Sequence, residues 1–220
     1  MSNLGGGGYH WQDESRAADW DDMQRRVKSE RAKGFETMLG FLPQDTNQAL
    51  KILDLGAGDG SVAEIILERY PNATAALIDF SAPMIAKGTE RLRKYGGRWH
   101  YVYWDMNEGV WPTTAGGPFD AVVSSAAIHH LTNDRKLWVA AEVVARIAPG
   151  GVFANYDLFR DPEAIFAEDD IHGRTCATLD EAKTFLVESG YMDIYVGHRL
   201  EIPDQKGELA LLAGRRHPIT

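Results

Sequence analysis

The stretch ILDLGAGDG, from Ile52 to Gly60, decides the fold of this chain. An apolar run ends in an aspartate and a leucine, glycines follow at alternate positions, and a helical pattern starts at Ser61. Glycine permits a sharp turn and lets a ligand approach the backbone closely. Ser61 and Glu64 match the spacing of a capping box, which predicts that a helix begins there. The stretch therefore predicts a strand, a ligand-binding loop and a helix in direct succession.

Beyond this unit, short apolar runs alternate with helical patterns. The apolar runs predict strands at 51–56, 75–79, 99–105, 119–125 and 151–157. Helices are predicted at 61–70, after a capping Ser81, at 135–147, and from a capping box of Thr178 and Glu181 to Gly190. Two more strands, 192–200 and 208–215, have no helix between them and pair most simply as an antiparallel hairpin. This order predicts an α/β fold with a Rossmann-like, doubly wound, mostly parallel seven-stranded sheet and a C-terminal antiparallel hairpin.

The composition is that of an ordinary globular domain, with 220 residues of which 44% are hydrophobic. The formal net charge of −9 opposes binding to nucleic acid, so no DNA partner is expected. No window approaches the roughly 20 apolar residues of a membrane helix, and the first residues do not form a secretory signal. Cys176 is the only cysteine, which excludes an internal disulfide. We expect a cytoplasmic protein that does not bind membranes.

The ends of the predicted strands are the expected place for a site, because parallel sheets bind ligands at their carboxyl ends. The sequence from Gly58 to Ala63 also matches the GxGxxG/A pattern of dinucleotide sites, in which a pyrophosphate lies on a helix N-terminus. Asp54 and Asp59 argue against a dinucleotide, since two carboxylates beside a pyrophosphate would repel it. An ammonium or a sulfonium group suits them better. The loop therefore favours S-adenosylmethionine (SAM) over NAD.

Later strand ends add the elements of an adenosine site. Asp79 ends the second strand about twenty residues after the glycines, where a carboxylate can accept hydrogen bonds from a ribose diol. Phe80 and Met84 follow and can sandwich an adenine ring. Asp105, at the end of the third strand, can accept a hydrogen bond from the adenine amino group. Ser124, at the end of the fourth strand, is a further candidate for contact with the cofactor.

Together these motifs resemble those of class I SAM-dependent methyltransferases of the small-molecule type. The matching stretches lie in the expected order between residues 51 and 157, and they are ILDLGAGDGSVAE, LIDFSAPMI, the pair Asp105-Met106, FDAVVSSAAIHHLT and IAPGGVF. The resemblance implies SAM as the cofactor and a small molecule as the methyl acceptor. It implies that Asp54, Gly56 and Gly58 hold the methionine end of SAM and that Asp79 binds the ribose. It places around the adenine the side chains of Phe80, Met84, Asp105 and Met106.

Methyl transfer to an acceptor that must lose a proton requires a base near the methyl group. His129 and His130, just past the fourth strand, are the candidate catalytic residues, with His130 preferred. The alternative is that one histidine packs against the sheet while the other only lines the pocket. Ser124 and Ser125 stand where metal-dependent enzymes of this kind carry carboxylates, so no metal site is expected. The sequence favours metal-independent transfer to O, N or C of a small molecule.

The first 45 residues are expected to form a helical lid over SAM that helps to select the acceptor, with residues 46–220 as the methyltransferase domain. One face of this segment is basic, and we expect it to be solvated. It consists of Arg25, Arg26, Lys28, Arg31 and Lys33. Three alternatives stay open: an RNA- or protein-directed methyltransferase that uses this face, an enzyme that uses SAM for cyclisation or decarboxylation, and a binding module without activity. The sequence indicates neither the acceptor nor the oligomeric state.

Overall fold

The computed structural model describes residues 28–165, 175–202 and 206–217, with the backbone alone for 28–30. Within these ranges the helices are α1 (Lys28–Leu39), α2 (Ser61–Arg69), α3 (Ala82–Leu92), α4 (Asn133–Arg146) and α5 (Leu179–Glu188). The strands are β1 (Lys51–Leu55), β2 (Thr74–Asp79), β3 (Trp99–Tyr103), β4 (Phe119–Ser125), β5 (Ile147–Arg160), β6 (Tyr191–Ile202) and β7 (Gly207–Arg216). Short 3₁₀ turns lie at Arg93–Arg98, Thr113–Ala115 and Ile128–His130.

The strands of the described residues form one seven-stranded sheet in the order β3-β2-β1-β4-β5-β7-β6. The pairs from β3 to β5 are parallel, and β7 runs antiparallel to both β5 and β6. This arrangement confirms the predicted fold and its C-terminal hairpin. The chain moves outward from β1 to β3 and then returns to place β4 on the other side of β1. The carboxyl ends of β1 and β4 therefore flank the point where ligands bind in such sheets.

The central strands are covered on both faces, which explains their nearly continuous apolar sequences. Ile52, Leu53 and Leu55 of β1 have no exposed surface. Leu53 and Leu55 pack in the same core as Val139 of α4, whereas Ile52 packs in the core that contains Phe35 of α1. Two close-packed layers of helices thus hold the strand ends in fixed positions, which a binding site at those ends requires.

The structure confirms two of the predicted N-caps and corrects the third. The side chain of Ser81 caps α3, and both arms of the capping box at Thr178 are present at the start of α5. At α2 the N-cap is Gly60, with φ of 73° and no side-chain cap, so the capping box predicted at Ser61 is wrong. The required partner Glu64 is engaged elsewhere, because it pairs with basic side chains at the end of α3 and just beyond it.

β5 begins earlier than the sequence predicted. The strand was expected to start at Gly151, after Gly150, yet β5 starts at Ile147. Ile147 pairs with Phe119, and regular pairing with β4 resumes at Val152 after a shift of register. Gly150 lies within this irregular part and has φ of +78°. The glycines therefore form a bulge inside the strand rather than a loop in front of it.

α1 packs on the C-terminal half of the sheet, against β5, β6 and β7. Phe35, Met38 and Leu39 are buried there. The rest of the predicted lid, before residue 28, lies outside the described residues, so the lid and the boundary at residue 45 remain predictions. In the described part of the chain, no helix combines the length and the apolar character needed to cross a lipid bilayer.

Candidate cofactor-binding site

A cavity opens at the carboxyl ends of β1, β2 and β4, and we call it the strand-end cavity. It contains about 860 Å³ of space, its open mouth included, which is within the range of small-molecule sites. Of the residues that the sequence proposed for the site, its lining includes Asp54, Gly56, Gly58, Asp59, Asp79, Phe80, Met84, Asp105, Met106 and His130. The structure thus brings together most of the proposed residues. Ser124 and His129 are not part of its lining.

The loop after β1 forms the floor of the cavity, and its glycines are required by geometry. Gly56 and Gly58 have φ of +71° and +52°, which residues with a side chain rarely adopt. A Cβ atom on Gly56 would lie 2.3 Å from the Cβ atom of Ala127. The N–H groups of Gly56 and Ala57 both donate to the carbonyl of Ile78 at 2.9 Å, which ties the loop to β2. Side chains would fill this cradle, so it fits a ligand that lies against bare backbone.

Asp54 lies beneath the loop and is almost fully buried. Its Oδ2 accepts a hydrogen bond from the N–H of Ala63 at 3.2 Å. Burial is the main cause that raises the pKa of Asp54 to about 7, and repulsion from Asp79 and Asp59 adds to it. A nearby cation favours the ionised form of such a carboxyl group. The environment of Asp54 therefore suits the ammonium group at the methionine end of SAM.

Asp79 joins the end of β2 to the glycine loop. Its Oδ2 accepts from the N–H of Gly58 and its Oδ1 from the N–H of Ser81, both at 2.7 Å. Burial raises the pKa of Asp79 above its ordinary value, although these bonds oppose the shift. Each carboxylate oxygen has a second lone pair for a ligand donor. Because Asp79 also lines the cavity, its position fits the proposed acceptor for a ribose diol.

Asp59 contributes less charge to the cavity than the sequence indicated. Its Oδ2 lies 2.6 Å from Nη2 of Arg91, and its Oδ1 accepts from the N–H of Ser61. The guanidinium of Arg91 compensates the carboxylate, so the charge argument for a cationic ligand rests on Asp54 rather than on both aspartates. The pairing could not be expected from spacing, because Arg91 lies 32 residues further along the chain.

The adenine end of the cavity is formed by the turn after β3. Asp105 Oδ1 accepts from the N–H of Asn107 at 2.8 Å, and Met106 is buried beside it. Trp104 also lines the cavity, although the sequence analysis did not select it. Its position as an aromatic residue directly before Asp105 was the feature of the sequence that could have indicated a place in the site. Phe80 and Met84, which are proposed to sandwich the adenine ring, line the same cavity.

Arg135 of α4 fastens this turn from outside. Its guanidinium lies 3.8 Å from the ring centre of Trp138 and donates to the carbonyl groups of Glu108 and Gly109 at 3.0 and 3.1 Å. Its Nε donates to the carbonyl of Met106. The planar donor fork of arginine suits several carbonyl acceptors at once. Arg135 therefore holds in place the backbone of the turn that carries Met106, one of the side chains predicted to surround the adenine.

The two histidines occupy different places. His129 is buried, its Nδ1 lies 2.5 Å from Asp157 Oδ1, and its N–H donates to Asp157 Oδ2 at 3.1 Å. Burial alone would raise the pKa of Asp157, but the charge and hydrogen bonds of His129 lower it below its ordinary value. His130 lines the strand-end cavity. The structure thus separates the pair: His129 is bonded to Asp157 behind the cavity, whereas His130 lines it, and a role as base stays a prediction for both.

Ser124 and Ser125 are separated in the same way. Ser124 is fully buried and its Oγ donates to the carbonyl of Leu55 at 2.7 Å, so its hydroxyl faces away from the cavity and its contact with the cofactor stays a prediction. Adjacent residues of a strand point to opposite faces, and here Ser125 is the one that lines the cavity. The Oγ of Ser125 accepts a hydrogen bond from Nη2 of Arg31 at 3.1 Å.

Arg31 is a site residue that the sequence analysis missed. The basic face of the N-terminal segment was expected to be solvated, but Arg31 is only 6% exposed and lines the strand-end cavity. Its guanidinium lies 5.2 Å from the ring centre of Phe35. Burial lowers the pKa of Arg31 to about 10, against the opposing charges of Asp59, Tyr156 and Asp157. At this pKa the guanidinium stays charged at neutral pH.

The family model described as a methyltransferase domain matches residues 52–151, from β1 into β5. Together with the mixed sheet and the strand-end cavity, this match supports a class I SAM-dependent methyltransferase, a class of enzymes. SAM is the cofactor of this class. The glycine cradle, the buried carboxylate of Asp54 and the carboxylate of Asp79 fit its adenosyl and methionine groups.

Individual proteins resemble the chain more distantly. The trans-aconitate 2-methyltransferase of Streptomyces avermitilis is 29% identical over 142 residues, which cover 61% of this chain and 49% of that protein. The enzyme of the same name from an Azoarcus species is 28% identical over 194 residues, or 83% of this chain and 70% of that protein. The matched part of the chain thus spans about half the length of the first relative.

Among solved structures, phosphoethanolamine N-methyltransferase 2 of Haemonchus contortus has the same fold. It was solved in complex with phosphomonomethylethanolamine and S-adenosylhomocysteine (SAH). The two structures superpose with a TM-score of 0.68 at 15% sequence identity, covering 86% of this chain and 53% of that chain. At this level of identity the likeness concerns the fold alone.

Proposed function

We propose that this chain transfers the methyl group of SAM to an oxygen, nitrogen or carbon atom of a small-molecule acceptor, without a metal ion. One observation carries the proposal: Asp105, Asp79, Asp54 and His130 all line a single cavity at the ends of the central strands. The carboxylates that suit an adenosyl cofactor and the histidine that suits an acceptor therefore face one space. When bound, SAM supplies an electrophilic methyl carbon, so the main task of the protein is to position the acceptor.

Each end of the cavity has a separate part in this reaction. Asp79 binds the ribose hydroxyls, the turn at Asp105 binds the adenine, and Asp54 binds the ammonium of the methionine group. These contacts direct the methyl carbon toward the space beside His130. Orienting cofactor and acceptor in this way accounts for much of the rate enhancement in an in-line displacement.

The role of His130 depends on the acceptor. With a hydroxyl or ammonium acceptor, its imidazole accepts the proton that the acceptor loses. With a carboxylate acceptor no proton has to be removed, because carboxylates are ionised at neutral pH. The names of the two curated relatives favour this second case, since trans-aconitate is a tricarboxylate. Independence from metal is supported by Ser124 and Ser125, which place hydroxyl groups rather than carboxylates at the end of β4.

The proposal is tested by incubating the protein with methyl-labelled SAM and panels of small carboxylates, phenols, alcohols and amines, with and without EDTA. We expect SAH and one class of labelled small molecule in equal amounts, with no effect of EDTA. Formation of 5′-methylthioadenosine instead of SAH would contradict methyl transfer and support the use of SAM for another reaction. Label that enters added RNA or protein, and none of the small molecules, would contradict the small-molecule assignment.

A further inference from the structure

We propose that Tyr101 is a positioning residue for the cofactor, because its hydroxyl group fixes Gly58 from behind the glycine loop and thereby orients Asp79. The inference deepens the proposed function and rests on it, since it concerns how the cofactor of that reaction is held. Tyr101 lies in β3, at the edge of the sheet, and pairs with Leu77 of β2. It is not part of the lining of the strand-end cavity, so it acts through the loop rather than by contact with a ligand.

The hydroxyl of Tyr101 completes the hydrogen bonding of Gly58. Its Oη donates to the carbonyl of Gly58 at 2.9 Å, while the N–H of Gly58 donates to Asp79 Oδ2 at 2.7 Å. The peptide groups on both sides of Gly58 are therefore bonded, which stabilises its φ of +52°. Because one oxygen of Asp79 accepts from this N–H, the position of Gly58 also orients the carboxylate that we assign to the ribose.

The space around this hydroxyl is provided by glycines. A Cβ atom on Gly88, in the interior of α3, would lie 1.9 Å from Tyr101 Oη. A Cβ atom on Gly60, in the loop, would lie 3.0 Å from the same atom. Glycine weakens a helix interior relative to alanine, and Gly88 has no left-handed φ that would require it. Room for the hydroxyl of Tyr101 is thus the requirement that the structure shows at position 88.

The charges around Tyr101 keep its hydroxyl a donor. Burial raises the pKa of Tyr101 above its ordinary value. Repulsion from the carboxylates of Asp54, Asp79 and Asp59 adds to this shift. The proton therefore stays on the hydroxyl at neutral pH, and only the protonated form can donate to the carbonyl of Gly58. The aspartates at the cofactor site thus help to preserve the bond that holds their loop.

The experiment compares Tyr101→Phe with Tyr103→Phe, which makes the same change at a 67% exposed position of the same strand. Calorimetry measures the Kd of each protein for SAH and for the 2′-deoxy analogue of SAH, which lacks one of the hydroxyl groups assigned to Asp79. Tyr101→Phe should weaken SAH roughly 3- to 10-fold and the analogue by a smaller factor, because a displaced carboxylate loses part of its contact with the ribose. Tyr103→Phe should leave both Kd values unchanged.

Gly88→Ala tests the same contact from α3. Its methyl group displaces the hydroxyl of Tyr101, so this variant should also weaken SAH. The two substitutions together should weaken SAH by less than the product of their separate factors, because both act on one contact. Tyr101→Phe carries the test by itself if Gly88→Ala does not fold.

Three results would overturn the inference. The first is an unchanged affinity of Tyr101→Phe for SAH. The second is a loss of the same factor for SAH and for its analogue, which would show that Tyr101 has only a structural role. The third is a wild type that binds the two ligands equally, since no ribose contact would then need positioning. Binding of SAH does not depend on turnover, so a wild type that prefers SAH to the analogue but transfers no methyl group would contradict the proposed function alone.

Discussion

Gly56, directly after β1, lies so close to Ala127, beyond β4, that a Cβ atom on Gly56 would fall 2.3 Å from the Cβ atom of Ala127. β1 and β4 are neighbours in the sheet, and their following loops meet where the strand order reverses. This contact closes the floor of the strand-end cavity. The residue at position 56 is thus constrained twice, by its φ of +71° and by the space available to it.

The first prediction concerns this contact. Gly56→Ala should lower the melting temperature and weaken SAH at least about 10-fold, because a left-handed alanine costs roughly 1–2 kcal/mol and the new methyl group displaces the loop. Adding Ala127→Gly to Gly56→Ala should restore part of the melting temperature and part of the affinity for SAH, because it removes the clash but not the backbone strain. Thermal unfolding and calorimetry of the two single variants and the double variant measure the coupling energy between positions 56 and 127. Strictly additive effects would contradict the contact.

The second prediction concerns Asp54. In the folded protein its pKa is raised from 3.8 to about 7. Between these values the native state keeps a proton that the unfolded state has released, so the free energy of unfolding falls as the pH rises through this window. Asp54→Asn removes this loss. Relative to wild type, the unliganded variant should gain up to about 2 kcal/mol of stability between pH 5 and pH 8.

Thermal unfolding of both proteins across this pH range measures the effect, and a pH-independent difference would contradict the raised pKa of Asp54. The same variant should bind SAH more weakly than wild type at pH 8, because a neutral amide attracts the ligand ammonium less. In the wild type, affinity for SAH should rise as the pH increases toward and past 7.

The third prediction separates the two histidines. His129→Ala leaves the buried carboxylate of Asp157 without its cation, which should cost about 3 kcal/mol and lower Tm by roughly 6–12 °C. His130→Ala removes a side chain from the cavity wall and should change Tm far less. With a hydroxyl or amine acceptor it should reduce kcat while the Kd for SAH is kept. Thermal unfolding and steady-state kinetics check both, and a larger loss of stability in His130→Ala would reverse the assignment.

The fourth prediction concerns Arg135, which acts on the cofactor through the turn that carries Met106. Arg135→Ala should weaken SAH roughly 3- to 10-fold, since several hydrogen bonds that hold the turn are lost. Arg135→Lys should recover little, because a single ammonium cannot replace the donor fork. Calorimetry with Arg93→Ala as a control at an exposed position measures this. Equal affinities of wild type, Arg135→Ala and Arg135→Lys for SAH would contradict this prediction, because the turn would then keep its shape without Arg135.

Those parts of the fold and site that depend on local pattern could be predicted from the sequence. Asp79 and Asp105 end apolar runs, and the topology of parallel sheets brings such ends together. The cap at Ser81 and the capping box at Thr178 are decided within four residues. For the same reason the glycine loop could be recognised as a ligand site before its conformation was known.

The remaining features depend on contacts between distant parts of the chain. The start of β5 is set by the pairing of Ile147 with Phe119 across the sheet. The burial of Arg31 depends on how α1 rotates against β5, which residue spacing does not specify. The charge of Asp59 is compensated because Arg91 reaches it from α3, 32 residues further along the chain. The different positions of the two histidines depend on Asp157 of β5, which bonds His129 behind the cavity while His130 lines it.

The central claim is that the strand-end cavity binds SAM through the carboxylate of Asp79, and calorimetric titration of SAH and NAD tests it most directly. The proteins are wild type, Asp79→Ala and Asp45→Ala, a control in an exposed turn. We expect SAH to bind wild type and control with equal affinity. It should bind Asp79→Ala at least about 100-fold more weakly, because charge-assisted hydrogen bonds are lost. Wild type should bind SAH far more tightly than NAD. An unchanged affinity of Asp79→Ala for SAH, or equal affinities of wild type for NAD and SAH, would contradict the claim.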